Sequence, residues 1–180
     1  CKSLVIAAGS GCFVPRKIPT PGLEEFENKN IFYSVKKRSD FEGKKILIAG
    51  GGDSALDYVM GFHQIASDIT LIHRRKEFKA VQDSVNKVMD LVDKKEINFN
   101  MGTIKKMTDN GKGQVDITLD DETVINNVDA IFPFFGLNSV CLKPKKQHID
   151  AFNGSNNVCQ IHQRCLLLHR QQHRAIVIII

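Results

Sequence analysis

The sequence predicts an α/β fold, in which a parallel sheet with helices packed on it is followed by a three-stranded antiparallel meander. Three observations predict it. A short, wholly apolar strand at 46–49 is of the kind that a parallel sheet buries on both faces, and a second strand, apolar except for Thr70, is predicted at 69–72. Each is followed by a segment with the apolar spacing of an amphipathic helix. After Gly102 the apolar period falls from about 3.6 residues to about 2.

The predicted elements follow in the order strand, helix, strand, helix, strand, three short strands, strand. The first helix is expected over 53–66, because Leu56, Val59 and Phe62 recur at helical spacing. The second helix has one apolar face, formed by Phe78, Val81, Val85, Val88 and Val92. The later strands are predicted at 97–99, 103–107, 114–119, 122–126 and 128–134.

Together these elements describe a Rossmann-like, dinucleotide-binding domain over residues 43–138. The preceding segment, 1–42, is expected to hold a strand at 2–8, a proline-containing loop without regular structure, and a polar connector with a strand candidate at 31–33. Residues 139–180 are expected to form a return segment and an irregular tail.

Composition places the chain among folded globular proteins, with 42% apolar and 25% charged residues. The longest aliphatic run, 176–180, is far shorter than the about 20 residues of a membrane-spanning helix. Five cysteines without a CxxC pair do not suggest a disulfide framework and favour a reducing, cytoplasmic compartment. The chain opens on Cys1 and not on Met, without a secretory signal, so we expect a fragment.

The net charge of +5 does not indicate a nucleic-acid partner, because of where the charge lies. Acidic and basic residues balance up to residue 142. Beyond it, Asp150 alone opposes the basic residues Lys143, Lys145, Lys146, Arg164, Arg170 and Arg174. We therefore expect neither nucleic acid nor a membrane as a partner of the main body.

A glycine turn is the central functional motif. Its residues fit GxGxxA and are Gly50, Gly51, Gly52, Asp53, Ser54 and Ala55. Such a turn can be merely structural, but this one follows an apolar strand and opens a helix, as a dinucleotide site requires. Gly50 permits the tight turn, Gly52 lets the backbone approach a pyrophosphate, and Ala55 keeps the helix close to the sheet. Asp53 would repel phosphate if its carboxylate faced the site, so we expect the carboxylate to point away or the residue to act through its backbone only.

A basic segment after the second strand indicates which dinucleotide binds. His73, Arg74 and Arg75 follow one another there, and no acid occurs before Glu77. A site for NAD needs an acid about 20 residues after the glycines, which accepts from the ribose 2′-hydroxyl. Arginines at this place bind a 2′-phosphate instead. A solvated basic cluster is the alternative, although it is electrostatically unfavourable at a helix start. The sequence therefore predicts NADPH as the cofactor.

Three motifs in this order support a family resemblance: Ala7-Ala8-Gly9 with Phe13, Pro15, Arg16, Pro21 and Gly22; the glycine turn; and His73-Arg74-Arg75 with Phe78 and Lys79. They resemble the low-molecular-weight thioredoxin reductase superfamily, and within it the thioredoxin-reductase-like ferredoxin/flavodoxin–NADP⁺ reductases. The resemblance implies that Arg74, Arg75 and Lys79 bind the 2′-phosphate, with Lys79 in place of the usual arginine. It also makes Gly136 part of the family's exit segment.

The resemblance further implies an NADPH domain inserted within an FAD domain of a homodimeric flavoenzyme. NADPH reduces FAD, which then reduces a ferredoxin or flavodoxin-like carrier, and the cofactors supply the chemistry, so no catalytic acid, base or nucleophile is assigned. Residues 1–42 and 139–180 are then partial FAD-domain segments. They lack the family's FAD fingerprint, so we expect the chain not to hold FAD unaided. A non-catalytic NADPH-binding remnant is one alternative.

Cysteine placement separates the two branches of this superfamily. Thioredoxin reductases have a redox CxxC before the nucleotide-binding strand, whereas Ser34-Val35-Lys36-Lys37 occupies that stretch here and no cysteine lies between Cys12 and Cys141. Without a dithiol, electrons leave from the flavin, which suits one-electron carriers. A thioredoxin-disulfide reductase fragment that uses Cys1 or Cys12 is the second alternative.

Two further patterns receive no assignment. Tyr33 and Lys37 fit the YxxxK acid/base pair of short-chain dehydrogenases, but they precede the glycine turn instead of following it. The tail contains a run of potential zinc ligands, Cys159, His162, Cys165, His169 and His173. Because one helix rarely supplies four converging ligands, we assign no metal.

Overall fold

The computed structural model describes residues 3–7, 12–140, 158–160, 167–169 and 175–179. The chain divides into two compact units. One is formed by Pro15–Gly136, and the other by Cys1–Val14 together with Leu137–Ile180.

In chain order the described strands are β1 (Ser3–Ala7), β2 (Cys12–Pro15), β3 (Lys45–Ala49), β4 (Asp68–His73), β5 (Asn98–Met101), β6 (Ile104–Asp109), β7 (Val115–Leu119), β8 (Val124–Val128), β9 (Ala130–Pro133), β10 (Leu137–Val140), β11 (Val158–Gln160), β12 (Leu167–His169) and β13 (Ala175–Ile179). The α-helices are α1 (Asp53–Phe62) and α2 (Gln82–Asp93). Short 3₁₀ turns occur at Glu24–Phe26 and Arg38–Phe41. Between residues 43 and 138 the order of elements is the predicted one.

The sheet of the larger unit is parallel and has the order β5-β4-β3-β9. The chain moves outward from β3 through β4 to β5, and then returns to the other side of β3 as β9. Ala49 at the end of β3 therefore pairs with Ile72 of β4 on one side and with Pro133 of β9 on the other. This reversal of strand order is the topological switch point at which open α/β sheets bind ligands. The predicted α/β fold with a parallel sheet is confirmed.

Both faces of this sheet are buried, which explains the continuous apolar runs of its strands. Ile46 and Ile48 of β3 pack with the apolar face of α1, in one hydrophobic cluster. Leu47 and Ala49 point to the other face and belong to a second cluster, which contains the buried residues of the meander. Successive residues of a strand point to opposite faces, so a strand with a core on each side has no polar position.

The meander is the predicted three-stranded antiparallel sheet, with the order β6-β7-β8. β7 alternates between buried and half-buried residues, because Val115, Ile117 and Leu119 face the core. Asp120 ties the turn after β7 to the start of β6. Its carboxylate accepts from the Thr103 N–H at 2.9 Å and from the Thr103 hydroxyl at 3.1 Å.

The connector contains no strand at 31–33, so that expectation was wrong. The N–H groups of Lys29, Asn30 and Ile31 all donate to the Phe26 carbonyl, which closes a turn just before the segment. Ile31 then forms two isolated bridges, one with Glu27 and one with Ile131, and no strand extends from them. The connector nevertheless adds buried residues to both cores, namely Ile18, Leu23, Phe26, Ile31 and Phe41.

Both helices are shorter than their apolar patterns predicted. α1 ends at Phe62, and the N–H groups of Ile65 and Ala66 turn back to the Phe62 carbonyl. α2 begins at Gln82, so Phe78 and Val81 lie before it. The apolar character of Phe78 reflects packing of the preceding loop, whereas Val81 is exposed. Phe78 stacks on the His73 ring.

In the smaller unit, β1 confirms the strand predicted at 2–8 and lies in a sheet of order β11-β12-β1-β13. β2 pairs with β10. The expectation that the loop after β1 has no regular element was wrong, because strand-forming residues at 12–14 precede Pro15, where β2 ends. The tail, for which we predicted no element, contributes β11, β12 and β13.

We predict that acid weakens the fold partly through Asp120. The Thr103 N–H, above all other contacts, holds the pKa of Asp120 below its ordinary value of 3.8. A carboxylate with a lowered pKa in the folded chain stabilises the fold above the unfolded value, and this stabilisation is lost as the pH falls through the folded value. Asp120→Asn should therefore lower the free energy of unfolding at neutral pH and reduce its dependence on pH below 3.8.

Urea denaturation at a series of pH values measures this effect. Asp57→Asn is the control, because Asp57 is also exposed and its side chain has no hydrogen-bond partner among the residues described. An Asp120→Asn protein with the wild-type pH dependence would contradict the assignment.

Candidate nucleotide-binding site

The glycine turn lies at the carboxyl end of β3, at the switch point between β3 and β9. The Gly50 N–H donates to the Ile72 carbonyl at 2.9 Å, so the chain is still bonded to β4 as it leaves the sheet. On the other side, the Phe134 N–H donates to the Ala49 carbonyl at 2.7 Å. The turn is thus held between both neighbouring strands.

Gly50 is required by close packing with the segment that follows β9. A Cβ at this position would lie 2.8 Å from the Phe134 carbonyl oxygen, 2.9 Å from the Phe134 Cβ and 3.2 Å from the Ala55 Cβ. Backbone atoms cannot move away as the end of a flexible side chain can. The segment that follows β9 therefore requires glycine at position 50. Ala55 is fully buried, and its small side chain keeps α1 near the sheet.

The imidazole of His73 lies directly over Gly51. A Cβ at Gly51 would come within 2.3 to 2.6 Å of three ring atoms, so glycine is the residue that fits beneath the ring. The ring nitrogen Nε2 is 3.1 Å from the Glu77 carbonyl, which only accepts, so Nε2 is protonated and donates. The Phe78 ring stacks with the His73 ring, and the ring centroids are 5.2 Å apart.

Gly52, in contrast, has open space beside it. The nearest atom to an added Cβ would be the Lys79 carbonyl oxygen at 3.8 Å, an ordinary contact. Gly52 is the N-cap of α1, and its carbonyl accepts from the Ala55 N–H at 3.0 Å. Among the residues that the structure describes, no contact demands glycine here. The free volume next to a helix N-terminus instead suits a bound anionic group.

The side chain of Asp53 is directed towards the start of α2, in agreement with the expectation that it does not present its charge to the turn. Its Oδ1 accepts from the Val81 N–H at 2.7 Å. Ser54, the next residue of α1, is exposed. The first turn of α1 therefore offers backbone N–H groups and the hydroxyl of Ser54 to a ligand. The carboxylate of Asp53 is hydrogen-bonded to Val81 instead.

The basic loop, defined as residues 74–80 between β4 and α2, is tied to the glycine turn through its backbone. The Lys79 N–H donates to the Gly51 carbonyl at 2.6 Å, and Gly52 and Lys79 form a parallel bridge. The side chains of Arg74, Arg75 and Lys79 are exposed. In the described part of the chain, no carboxylate forms an ion pair with any of these three.

The structure thus brings together residues 50–55, His73 and the basic loop. Gly136 stands apart from this set. It has a φ of +90° at the exit from β9, and its carbonyl accepts from the Arg16 N–H at 3.0 Å. Its conformation is in the left-handed region that favours glycine.

Sequence reasoning missed Phe134, whose backbone forms one wall of the glycine turn. It also missed the role of Phe78 as a support for His73. The sequence did single out both residues, because each is a large apolar residue beside a short polar or glycine-containing segment. Neither pattern shows which partner the ring or backbone meets.

Tyr33 does not serve as the acid/base residue of a dehydrogenase pair. Its hydroxyl donates to Glu27 Oε1 at 3.3 Å, and burial raises the pKa of Tyr33 to about 12. The phenol therefore stays neutral and hydrogen-bonded. The cysteines and histidines at 159–173 lie in segments whose side chains fall outside the described residues. Neither described helix is both long and apolar enough to cross a membrane.

Comparison with known proteins places the chain in a family. The pyridine nucleotide-disulphide oxidoreductase family matches residues 1–153. The ferredoxin–NADP reductase of Parvibaculum lavamentivorans is 46% identical in an alignment of 145 residues, and the match covers 76% of this chain and 40% of that protein. The ferredoxin–NADP reductase of Mesorhizobium japonicum is 41% identical over 144 residues, with the same two coverages. The chain therefore spans about 40% of the length of these relatives.

Solved structures agree on the fold. Thioredoxin reductase from Lactococcus lactis superposes with a TM-score of 0.60 at 24% identity, over 75% of this chain and 44% of that one. The thioredoxin reductase of Giardia duodenalis gives a TM-score of 0.59 at 25% identity, over 74% and 43% of the two chains. With the family match over most of its length, the chain belongs to the pyridine nucleotide-disulphide oxidoreductase family.

Proposed function

We propose that this chain is the NADPH-binding module of a flavoprotein reductase. In the complete enzyme, NADPH passes hydride to FAD, and electrons continue to a ferredoxin or flavodoxin-like carrier. One observation supports the choice of nucleotide above all others. The basic loop, which contains Arg74 and Arg75 without carboxylate partners among the described residues, is hydrogen-bonded to the glycine turn. The relatives named ferredoxin–NADP reductase support the reaction.

In this proposal the pyrophosphate of NADPH lies at the N-terminus of α1. The open space beside Gly52 accommodates it, and the amide groups of Asp53 and Ser54 face it. Aligned peptide dipoles place about half a positive charge at such a helix end, which favours a phosphate. Gly50 and Gly51 contribute indirectly, because their lack of side chains lets Phe134 and His73 approach the turn.

The 2′-phosphate of the adenosine ribose is bound by Arg74, Arg75 and Lys79 in this proposal. β4 ends at His73, where an NAD site would have its acidic residue. The ring of His73 donates to the Glu77 carbonyl and offers no negative charge to repel a phosphate. Guanidinium groups without other ion pairs form charge-assisted hydrogen bonds of about 1.5–3 kcal/mol each with a phosphate.

FAD, when bound, accepts hydride from the nicotinamide and releases electrons singly. Among the described residues, α1 is the one helix that begins at a glycine turn, so a cradle for the flavin diphosphate is not found there. The proposal therefore assigns this chain the binding and orientation of NADPH, with Gly136 in the exit segment after β9. It further includes a homodimeric enzyme in the cytoplasm.

The cysteine pattern supports a carrier protein as the electron acceptor. No cysteine occurs between Cys12 and Cys141, so the stretch before β3 contains no dithiol that could reduce a disulfide. A flavin can donate one electron at a time to an iron–sulfur or flavin carrier without such a dithiol.

We predict that Arg74→Ala combined with Arg75→Ala weakens NADPH binding about 10- to 1,000-fold, because two charge-assisted contacts are lost. NADH lacks the 2′-phosphate, so its affinity should stay nearly unchanged. Nicotinamide fluorescence titration of the full chain measures both affinities. Lys36→Ala with Lys37→Ala removes the same charge from exposed connector residues and serves as the control. Equal losses for the two nucleotides would refute the 2′-phosphate assignment.

We predict opposite outcomes for two neighbouring glycines. Gly52→Ala should leave the thermal midpoint nearly unchanged, because an alanine fits its φ of −104° and meets no close atom. The added methyl group should nevertheless lower the affinity for NADPH and NADH alike, since it enters the space of the shared pyrophosphate. Gly50→Ala should instead destabilise the fold by about 1–3 kcal/mol through overpacking against Phe134.

Thermal denaturation and nucleotide titration of the two variants separate packing from binding. If Gly52→Ala binds both nucleotides as tightly as the wild type, the pyrophosphate does not lie where we propose.

A further inference from the structure

The carboxylate of Asp53 connects the starts of the two helices. Asp53 is the first residue of α1, and its Oδ1 accepts from the N–H of Val81, the N-cap residue of α2, at 2.7 Å. Val81 itself offers no side-chain cap to its helix. Asp53 and Val81 are 28 positions apart in the sequence. Their hydrogen bond therefore links two helices and is not a contact within α1.

This contact fixes the far end of the basic loop. In the middle of the loop, the Glu77 carbonyl accepts from the His73 ring, which lies over Gly51. Closer to the far end, the Lys79 N–H donates to the Gly51 carbonyl at 2.6 Å. Asp53 holds Val81 just beyond the loop. Arg74 and Arg75 therefore extend from a segment whose backbone is bonded to the glycine turn and to the first turn of α1.

A free carboxylate in the first turn of α1 is a poor choice next to a bound pyrophosphate, because like charges repel there. The hydrogen bond to Val81 gives a reason for its presence. If the acid served only to stabilise α1 through the helix dipole, any acid in the first turn would do, and nucleotide selectivity would not depend on it.

We propose that Asp53 is a positioning residue, which sets the preference for NADPH over NADH by holding the basic loop in place through Val81. It does not touch the nucleotide. The inference rests on the proposed role of Arg74 and Arg75 at the 2′-phosphate. A loop that is already ordered loses less conformational freedom when its arginines bind, so the clamp favours the nucleotide that uses them.

Titration of the full chain with NADPH and with NADH tests this role. Asp53→Ala should raise the Kd for NADPH about fivefold, the size of a lost capping hydrogen bond, and the Kd for NADH less than about twofold. Asp53→Asn keeps an oxygen acceptor for Val81 and should restore most of the NADPH affinity. Asp57→Ala removes an equal charge from the exposed side of α1 and should leave both affinities unchanged.

The decisive arm combines Asp53→Ala with Arg74→Ala and Arg75→Ala. If Asp53 acts through the arginines, its effect on NADPH disappears in their absence. An effect that persists in that background, an equal loss for NADH, or a failure of Asp53→Asn to restore binding would overturn the positioning role and leave the proposed function intact. If the arginine variant alone binds NADPH like the wild type, the proposed function fails as well.

Discussion

The hydrogen bond from the Lys79 N–H to the Gly51 carbonyl joins the two parts of the candidate site. At 2.6 Å it holds the basic loop against the glycine turn, although 27 residues separate them in the sequence. Without this bond the turn would be a generic helix start and the loop a solvated basic segment. With it, the N-terminus of α1 and the segment that contains the exposed residues Arg74 and Arg75 become neighbours, as the proposed NADPH site requires.

The sheet positions that region through its reversal of strand order. β4 and β9 flank β3 on opposite sides, so the turn after β3 meets chain from both directions. Gly50 meets Phe134 on the β9 side, and Gly51 meets His73 on the β4 side. The two glycines are therefore selected by the protein's own packing, whereas Gly52 is left with space beside it. The three positions of the motif therefore have different physical reasons for being glycine.

Much of this architecture was predictable because β3 and β4 are buried on both faces. Such strands have a continuous apolar signature, and their order with the helices follows directly. Two of the errors involve contact with a distant residue. The apolar spacing from Phe78 to Val92 is helical throughout, yet the Lys79 backbone is bonded to the glycine turn, so α2 cannot begin before it. Ile31 looks like part of a strand, but it forms only isolated bridges, and one of them depends on Ile131, a hundred positions later.

The sequence predicts which residue types form the candidate site, but it predicts less well which of them contact one another. The glycine spacing and the absence of an acid before Glu77 are visible in the sequence. The use of the Asp53 carboxylate by Val81 is not, because no local pattern links an acid at one helix start to the next helix.

β3 contributes to both hydrophobic clusters, with alternate residues on either side of the sheet. The helices and the meander therefore pack on opposite faces of the same strand. If either layer unfolded alone, it would expose one apolar face of β3 to water. A ligand bound at the edge of β3, as proposed, would therefore stabilise both layers against unfolding. The stabilised region would include meander residues that lie outside the proposed site.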